Sequence, residues 1–370
     1  MINKPEKLFV THSPYHTILA YSIASNTNRD SSIFIQPYIP NDSIWPLIEL
    51  FRKTDQFSHV RLLPGLYTDY GKKKEDTVGI LDNNIHEISE YIQNRDLEEV
   101  CVSLDDRDID QAAVYYAKSA NQNVTCSILE DGLGAYRDYS SSWNPHAHPL
   151  LHTIRQLVIH KFIYQRNIPV YGDSKYISQI HTTFPTLLRS HYKDFTKRGI
   201  SPRPVIELGN SEECSEYLEE SGLDIEKLAD IDILILPPKV DSLDRNSEKT
   251  LLSELLSELN SFGLTPGIKY HPRQRNTSDV FEEAVIIPQS VPAELVLVHP
   301  RTDIQTVASG ISTVFLSANW LLNEINVVSI DYILPEPHSP EMIDDELDRT
   351  LKSLGITFPD TIDRFLDIIL

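Results

Sequence analysis

The chain has 370 residues, 41% hydrophobic and 24% charged, a globular balance with length for two domains, which excludes a disordered protein. The formal net charge of −21 at pH 7 excludes a general nucleic-acid-binding protein. Three scattered cysteines argue against a disulfide scaffold or a zinc site. No apolar run approaches twenty residues, and the first residues lack the apolar core of a signal peptide, so we expect a cytoplasmic protein.

The first part of the chain alternates predicted strands with predicted helices. Apolar runs and helix start signals predict, in order, strand 7–11, helix 13–24, strands 32–38 and 60–63, helix 76–93, strand 99–104, helix 110–120 and strand 123–129. Strands that alternate with helices favour a parallel sheet with right-handed crossovers.

The middle of the chain is basic and rich in turns. Between His152 and Arg203, nine Lys and Arg side chains are opposed only by Asp173 and Asp194, so this segment carries +7 and the remainder −28. A helix is predicted over 149–165 and a strand over 168–171. A basic segment in an acidic protein favours an anionic partner, such as a membrane surface, an acidic polymer or a nucleotide. The alternative is a solvated helical face without a partner.

The alternation then starts again. The predicted elements are strand 231–236, helix 246–262, strands 267–270 and 284–287, helix 290–298, strand 305–309, helix 312–322, strand 326–330 and helices 341–354 and 360–369. We expect domains at 1–175 and 229–370, joined by a basic region over 176–228, with the last helix able to cross back to the first domain. Two Rossmann-like domains facing across a cleft form the α/β GT-B glycosyltransferase architecture, which alone does not fix function.

An acidic motif, Glu130-Asp131-Gly132, follows predicted strand 123–129. It therefore lies at the carboxyl edge of the sheet, where open α/β sheets bind ligands. A carboxylate there can take the proton from an attacking hydroxyl, and Gly132 lets the backbone turn close to a ligand. The alternative is an acidic surface turn, a common end to a strand.

A histidine motif follows strand 267–270, where Lys269 precedes His271-Pro272-Arg273. A histidine held in a rigid turn among cations can hydrogen-bond or protonate a phosphate oxygen. The alternative is a polar loop histidine. His299-Pro300 has the same dipeptide but ends a predicted helix, so we favour His271.

A hydroxyl motif, Ser312-Thr313, begins a predicted helix, with Ser309 and Gly310 in the turn before it. Hydroxyls beside free N–H groups at a helix N-terminus bind phosphate or carboxylate. The alternative is an N-cap serine without a ligand.

Other polar residues near strand ends are weaker candidates. Segment 104–108, Leu-Asp-Asp-Arg-Asp, could mimic a metal-binding motif, but acids before a helix favour its dipole, so we expect capping. His12 and His16 follow the first strand and are expected at the rim of the cleft, where they can contact substrate. The alternative is a pair of ordinary first-turn residues. His146 and His148 have metal-like spacing but no further ligands, and no metal is expected.

Together the three motifs resemble those of the bacterial sialyltransferases of GT-B fold. Those families share an acidic-acidic-glycine motif, then a His-Pro motif and a later Ser-Ser/Thr motif, and the motifs at 130–132, 271–272 and 312–313 stand in that order. Segments 269–273 (Lys-Tyr-His-Pro-Arg) and 292–295 (Pro-Ala-Glu-Leu) are most similar to the capsule polysialyltransferase and lipooligosaccharide sialyltransferase families. The resemblance covers residues 1 to about 335, although Gly310-Ile311 replaces a plain serine run.

The resemblance implies an inverting transfer of sialic acid, or a related sugar, from a CMP-sugar to a glycan hydroxyl in capsule, lipooligosaccharide or other surface glycan. No metal or other cofactor is implied. Glu130 or Asp131 would be the base, of which we choose Glu130, and His271 would stabilise or protonate the departing phosphate. The implied donor-binding residues are Gly132, Lys269, Pro272, Arg273, Ser309, Gly310, Ser312 and Thr313.

The basic segment 152–203 would then hold the protein on anionic lipid at the inner face of the membrane or guide an acidic glycan. Two other functions stay open. One is another GT-B enzyme, such as a transferase of nucleotide-linked polyol phosphate or a nucleotide-sugar epimerase. The other is a non-catalytic glycan-binding or assembly protein, which the presence of all three motifs disfavours.

Overall fold

The computed structural model describes residues 6–27, 29–38, 41–66, 74–137, 156–157, 162, 164, 172–238, 245–272, 284–322, 324–333 and 343–370. The chain divides into two compact units, unit 1 (Met1–Pro204) and unit 2 (Val205–Leu370). Arg273, His146 and His148 lie outside the described residues, as do all of predicted strand 168–171 and most of predicted helix 149–165.

Unit 1 is built on one parallel sheet. Its regular elements are β1 (Glu6–Thr11), α1 (Pro14–Ser25), β2 (Ser31–Ile35), α2 (Asn41–Lys53), β3 (His59–Leu62), α3 (Thr77–Gln93), β4 (Leu97–Val102), α4 (Asp108–Ala120), β5 (Thr125–Leu129), β6 (Gln179–Thr182) and β7 (Thr196–Gly199). The strand order is β3-β2-β1-β4-β5-β6-β7, and all neighbouring pairs are parallel. The order reverses between β1 and β4, and such a switch point is where open α/β sheets bind ligands.

Helix α2 is absent from the sequence predictions because Pro46 lies inside it. A proline removes one backbone donor and normally ends a helix pattern. Ile44, Leu47, Ile48 and Phe51 are nevertheless buried in the core of unit 1. The free energy gained by burying these side chains outweighs the cost of Pro46, so tertiary packing stabilises α2.

Strands β6 and β7 lie in the region 176–228 that the sequence predicts as a connection, and here the structure differs. All four residues of β7 are exposed, including Lys197 and Arg198, so no apolar pattern marks it as a strand. Parallel pairing with β6 positions it at the edge of the sheet, where charged side chains discourage pairing with another chain.

Unit 2 has a second parallel sheet. Its elements are α5 (Arg203–Gly209, which spans the division), α6 (Glu212–Glu220), β8 (Ile233–Leu236), α7 (Arg245–Ser261), β9 (Pro266–Lys269), β10 (Val285–Ile287), α8 (Ala293–Val298), β11 (Thr306–Ser309), α9 (Val314–Leu321), β12 (Asn326–Ser329), α10 (Asp345–Ser353) and α11 (Ile362–Ile369). The strand order is β10-β9-β8-β11-β12, with the switch point between β8 and β11.

The last helix packs within unit 2. Phe365 and Leu366 of α11 lie in the core that Ile233, Ile268 and Val328 form on the sheet. None of the helices in the described part of the chain has the length and apolarity that a membrane crossing needs.

Candidate active site

Glu130 is a fully buried carboxylate just after β5 in unit 1. Its Oε1 accepts hydrogen bonds from the hydroxyls of Tyr15 at 2.5 Å and Thr183 at 2.7 Å. Its Oε2 accepts from the Thr182 hydroxyl at 2.7 Å, the Thr183 N–H at 3.1 Å and the Tyr136 hydroxyl. An ionised carboxylate has about four acceptor sites, so these five bonds leave none for a substrate hydroxyl. Glu130 therefore ties α1, β5 and the end of β6 together.

The tyrosine beside Glu130 stays a donor. Burial, together with the charge of Glu130, raises the pKa of Tyr136 well above its usual value. The Tyr136 hydroxyl thus keeps its proton at neutral pH and donates it in the hydrogen bond to Glu130.

Asp131 is in the opposite environment. Its side chain is 33% exposed, whereas Glu130 directly before it is buried. Gly132 then adopts φ +50°, a left-handed conformation that glycine tolerates, and begins the short 3-10 helix Gly132–Tyr136. The turn directs one acid into the protein and leaves the other accessible, so Asp131 is the carboxylate that can meet an acceptor.

The two predicted histidines are both buried, with different partners. His12 donates from Nδ1 to the Gln36 carbonyl at 2.9 Å and pairs through Nε2 with Asp110 at 2.5 Å. With both ring nitrogens occupied, His12 has none left for a substrate. His16 lies with Nε2 3.4 Å from Asp131 Oδ1.

Asp105, in the acidic segment after β4, binds the backbone of residues 172–174. Asp105 accepts the N–H groups of Gly172 at 2.9 Å and Ser174 at 3.2 Å. Burial raises its pKa to about 7, against those two hydrogen bonds, which lower it. Asp108 and Asp110 lie in the first turn of α4, where their charges favour the helix dipole. The N-cap is Arg107, whose side chain makes no capping hydrogen bond, so the capping expected of this segment is not found. Within the described residues, no group of three or more His, Cys, Asp or Glu is placed to hold a metal ion.

In unit 2 the turn after β11 lies at the switch point. The buried Ser309 hydroxyl donates to the last carbonyl of β8 at 3.0 Å, so it joins the two strands. A Cβ on Gly310 would lie 2.9 Å from Pro238 Cβ and 3.0 Å from Asp331 Oδ1, too close for any side chain. Gly310 is therefore required by close backbone approach, and Asp331 accepts the next N–H, from Ile311, at 2.7 Å.

Ser312 and Thr313 lie between this turn and α9. Helix α9 begins at Val314, with Thr313 as its N-cap and no side-chain cap hydrogen bond. The Ser312 and Thr313 N–H groups donate to no acceptor in the described part of the chain, and both side chains are partly exposed. Two available N–H groups and two hydroxyls at a helix N-terminus suit a phosphate.

Lys269 is the last residue of β9, the strand that pairs with β8, and His271 lies two residues beyond it. Lys269 is 5% exposed, and its Nζ lies 3.3 Å from the Gln289 carbonyl. Burial lowers its pKa to about 8, with the charge of Glu294 acting in the opposite direction. His271 is exposed and Pro272 half-buried, and the His271 carbonyl accepts the Gln289 amide at 3.3 Å.

The structure thus gathers the predicted residues into two sets, one in each unit. Sequence analysis missed the partners of Glu130, which are Tyr15, Tyr136, Thr182 and Thr183. It also missed Asp331. Nothing in the sequence marks them, because Thr182 and Thr183 lie in a segment without a strand pattern and Tyr15 is one of 17 tyrosines.

A comparison with protein families gives a match that spans both units. A model of the family described as Alpha-2,8-polysialyltransferase (POLYST) matches residues 7–331. No curated protein matches the chain in a sequence comparison.

Three solved structures share the fold. UDP-GlcNAc 2-epimerase from Neisseria meningitidis bound to UDP-GlcNAc is 12% identical, with 98% of this chain and 90% of that chain covered and a TM-score of 0.51. A putative UDP-N-acetylglucosamine 2-epimerase from Listeria monocytogenes is 12% identical, with 99% and 88% covered and a TM-score of 0.53. TcCGT1 in complex with UDP is 11% identical, with 99% and 90% covered and a TM-score of 0.53. At these identities the likeness shows the fold alone, and it confirms the predicted α/β GT-B class.

Proposed function

The chain belongs to the alpha-2,8-polysialyltransferase family, and from this premise we propose that it transfers sialic acid, or a related sugar, from a CMP-sugar to a glycan hydroxyl. The family match over most of the chain is the observation that carries the proposal. Direct displacement with inversion, without a metal ion, is part of it. Such a transfer would take part in the synthesis of capsule, lipooligosaccharide or another surface glycan at the cytoplasmic side of the membrane.

In this proposal unit 2 holds the phosphate of the CMP-sugar. The N–H groups and hydroxyls of Ser312 and Thr313 bind phosphate oxygens. Both residues directly precede α9, and their N–H groups have no acceptor among the described residues. The exposed His271 hydrogen-bonds or protonates the phosphate as it leaves. Ser309 and Gly310 shape the turn and contribute no donor of their own side chains, since the Ser309 hydroxyl is engaged with β8.

Unit 1 supplies the base, and we assign that role to Asp131, not to Glu130 as chosen from the sequence. The acceptor sites of Glu130 are filled by five hydrogen bonds from the protein. Asp131 has one-third of its side chain exposed and can accept the proton of an acceptor hydroxyl as that hydroxyl attacks the anomeric carbon.

The exposed cations of the described part of segment 152–203 support an acidic partner, a glycan or a lipid surface. Lys193, Lys197 and Arg198 are exposed. Arg189, by contrast, is buried and donates to the Arg137 carbonyl and the Tyr192 hydroxyl, so it stabilises unit 1 instead.

Nucleotide choice tests the proposal. We expect CMP to raise the melting temperature and UDP to leave it nearly unchanged, because a ligand that binds only the folded state at 100 times its Kd stabilises it by about 2.7 kcal/mol. Thermal unfolding with CMP, CDP and UDP at matched concentrations measures this. A shift with UDP and none with CMP would contradict a CMP-sugar donor and favour a nucleotide-sugar epimerase.

Lys269 makes CMP affinity depend on pH. Its pKa is lowered to about 8, so the side chain is protonated below that pH and attracts phosphate there. We expect CMP affinity to fall as pH rises through about 8, and calorimetric titration at several pH values measures it. Lys269→Met should weaken binding and remove this dependence, while Lys227→Met, an exposed lysine of the same unit, should change neither. Identical pH profiles for Lys269→Met and wild type would exclude Lys269 from the donor site.

A further inference from the structure

His16 is a buried histidine against the exposed acid of unit 1. It is 3% exposed and lies in the first turn of α1. Its Nδ1 is 2.9 Å from Ser13 Oγ, and its Nε2 is 3.4 Å from Asp131 Oδ1. The Nε2 atom is buried and makes no hydrogen bond within the described residues. A buried polar atom without a partner is costly, and here it faces a carboxylate.

The hydroxyl of Ser13 lies against the other ring nitrogen of His16. Ser13 Oγ accepts the backbone N–H of His16 at 3.2 Å, as the N-cap of α1. The same hydroxyl can donate its own proton to Nδ1. The neutral ring then carries its proton on Nε2, on the side of Asp131. A slight rotation of the partly exposed Asp131 side chain would close 3.4 Å to a hydrogen bond.

We infer that His16, held by Ser13, is a positioning residue that orients the Asp131 carboxylate for proton transfer. This inference rests on the proposed function. Because Nε2 is buried, it cannot reach a substrate from this position, and it acts through Asp131. After that rotation, a hydrogen bond from Nε2 to Oδ1 would leave Oδ2 for the acceptor hydroxyl, and a donor of this kind favours the charged form of a carboxylate.

The charges that act together with Asp131 on nearby tyrosines are those of Arg107, Asp106 and Asp110 at Tyr38, and those of Arg189 and Asp105 at Tyr192. Burial raises the pKa of Tyr38 well above its usual range, with Asp131 adding to the shift, so Tyr38 stays protonated in any assay. Burial also raises the pKa of Tyr192, and the charges of Asp105 and Asp131 add to that shift. Asp105, with a pKa of about 7, titrates in the assay range, so the test compares variants with wild type and not absolute pH limits.

Two substitutions separate positioning from packing. His16→Phe keeps the ring volume and removes both nitrogens, whereas His16→Gln keeps an amide N–H near the place of Nε2. We would measure kcat and KM from pH 5 to 9 with CMP-sialic acid and an oligosaccharide acceptor, and the melting temperature of each variant. Asp131→Asn is assayed beside them.

We expect His16→Phe to lower kcat about 10- to 100-fold, with KM nearly unchanged, and to move the acid limb of kcat/KM to higher pH. His16→Gln should recover most of kcat and of the limb position. The inference is overturned if the acid limb of His16→Phe coincides with that of wild type, or if Gln and Phe lose equal activity. An inactive Asp131→Asn with an unaffected His16→Phe rejects this inference alone, whereas a fully active Asp131→Asn rejects the base assignment of the proposed function. Should His16→Phe fail to fold, His16→Leu, which also lacks both ring nitrogens, is measured in its place against the same two outcomes.

Discussion

Asp131→Asn is expected to lower kcat for sugar transfer about 10³-fold, within the range that general base catalysis contributes. The amide cannot take the proton from the acceptor hydroxyl, and the side chain is partly exposed, so the substitution disturbs the core little. The melting temperature and the affinity for CMP should therefore stay close to those of wild type. Initial rates with CMP-sialic acid, together with thermal unfolding, measure all three quantities.

The matched control is Asp96→Asn, an exposed aspartate just before β4, at the amino edge of the sheet of unit 1. It should keep full activity, since removal of one surface charge far from a reacting group has little effect. If Asp131→Asn kept more than a tenth of the wild-type rate, Asp131 would not be the base.

Glu130→Gln is expected to lower the free energy of unfolding of the protein by about 3 kcal/mol, because a buried network loses its charged acceptor. The amide NH₂ would face donors, either the Tyr15 and Thr183 hydroxyls or the Tyr136 and Thr182 hydroxyls. One of these pairs then loses its acceptor inside the protein. Urea unfolding of wild type and variant measures the difference.

Two further variants serve as references for the stability loss of Glu130→Gln. Tyr136→Phe removes one donor of the same network and should cost about 1 kcal/mol. Glu98→Gln changes an exposed glutamate of β4 and should change stability by less than about 0.5 kcal/mol. An unfolding midpoint for Glu130→Gln equal to that of wild type would show that Glu130 is not the structural acid described here.

The motif Glu130-Asp131-Gly132 therefore divides two tasks between neighbouring acids. The sequence places both carboxylates at the end of a strand, and this follows from the apolar run before them. It cannot decide which acid is buried, because the donors to Glu130 come from Tyr15, Thr182 and Thr183, far away in the chain. Burial and hydrogen bonding make that choice.

The same limit applies to elements of the fold. Strand β8 and residues 8–10 of β1 were predictable because parallel strands covered on both faces are near-continuous apolar runs. Strand β7 was not, since all four of its residues are exposed and only pairing with β6 defines it. In unit 2, glycine and hydroxyls after a strand predicted the turn at 309–313, but the need for Gly310 becomes clear only from Pro238 and Asp331 beside it.

Donor turnover tests the central claim most directly. The protein is incubated with an oligosaccharide that ends in sialic acid and with either CMP-sialic acid or UDP-GlcNAc. Mass spectrometry follows nucleotide release and acceptor mass, and NMR follows the UDP-sugar, because an epimer has the same mass. We expect CMP release with CMP-sialic acid, an acceptor that gains sialic acid, and no change of UDP-GlcNAc. Turnover of UDP-GlcNAc, with CMP-sialic acid left intact, would contradict the account.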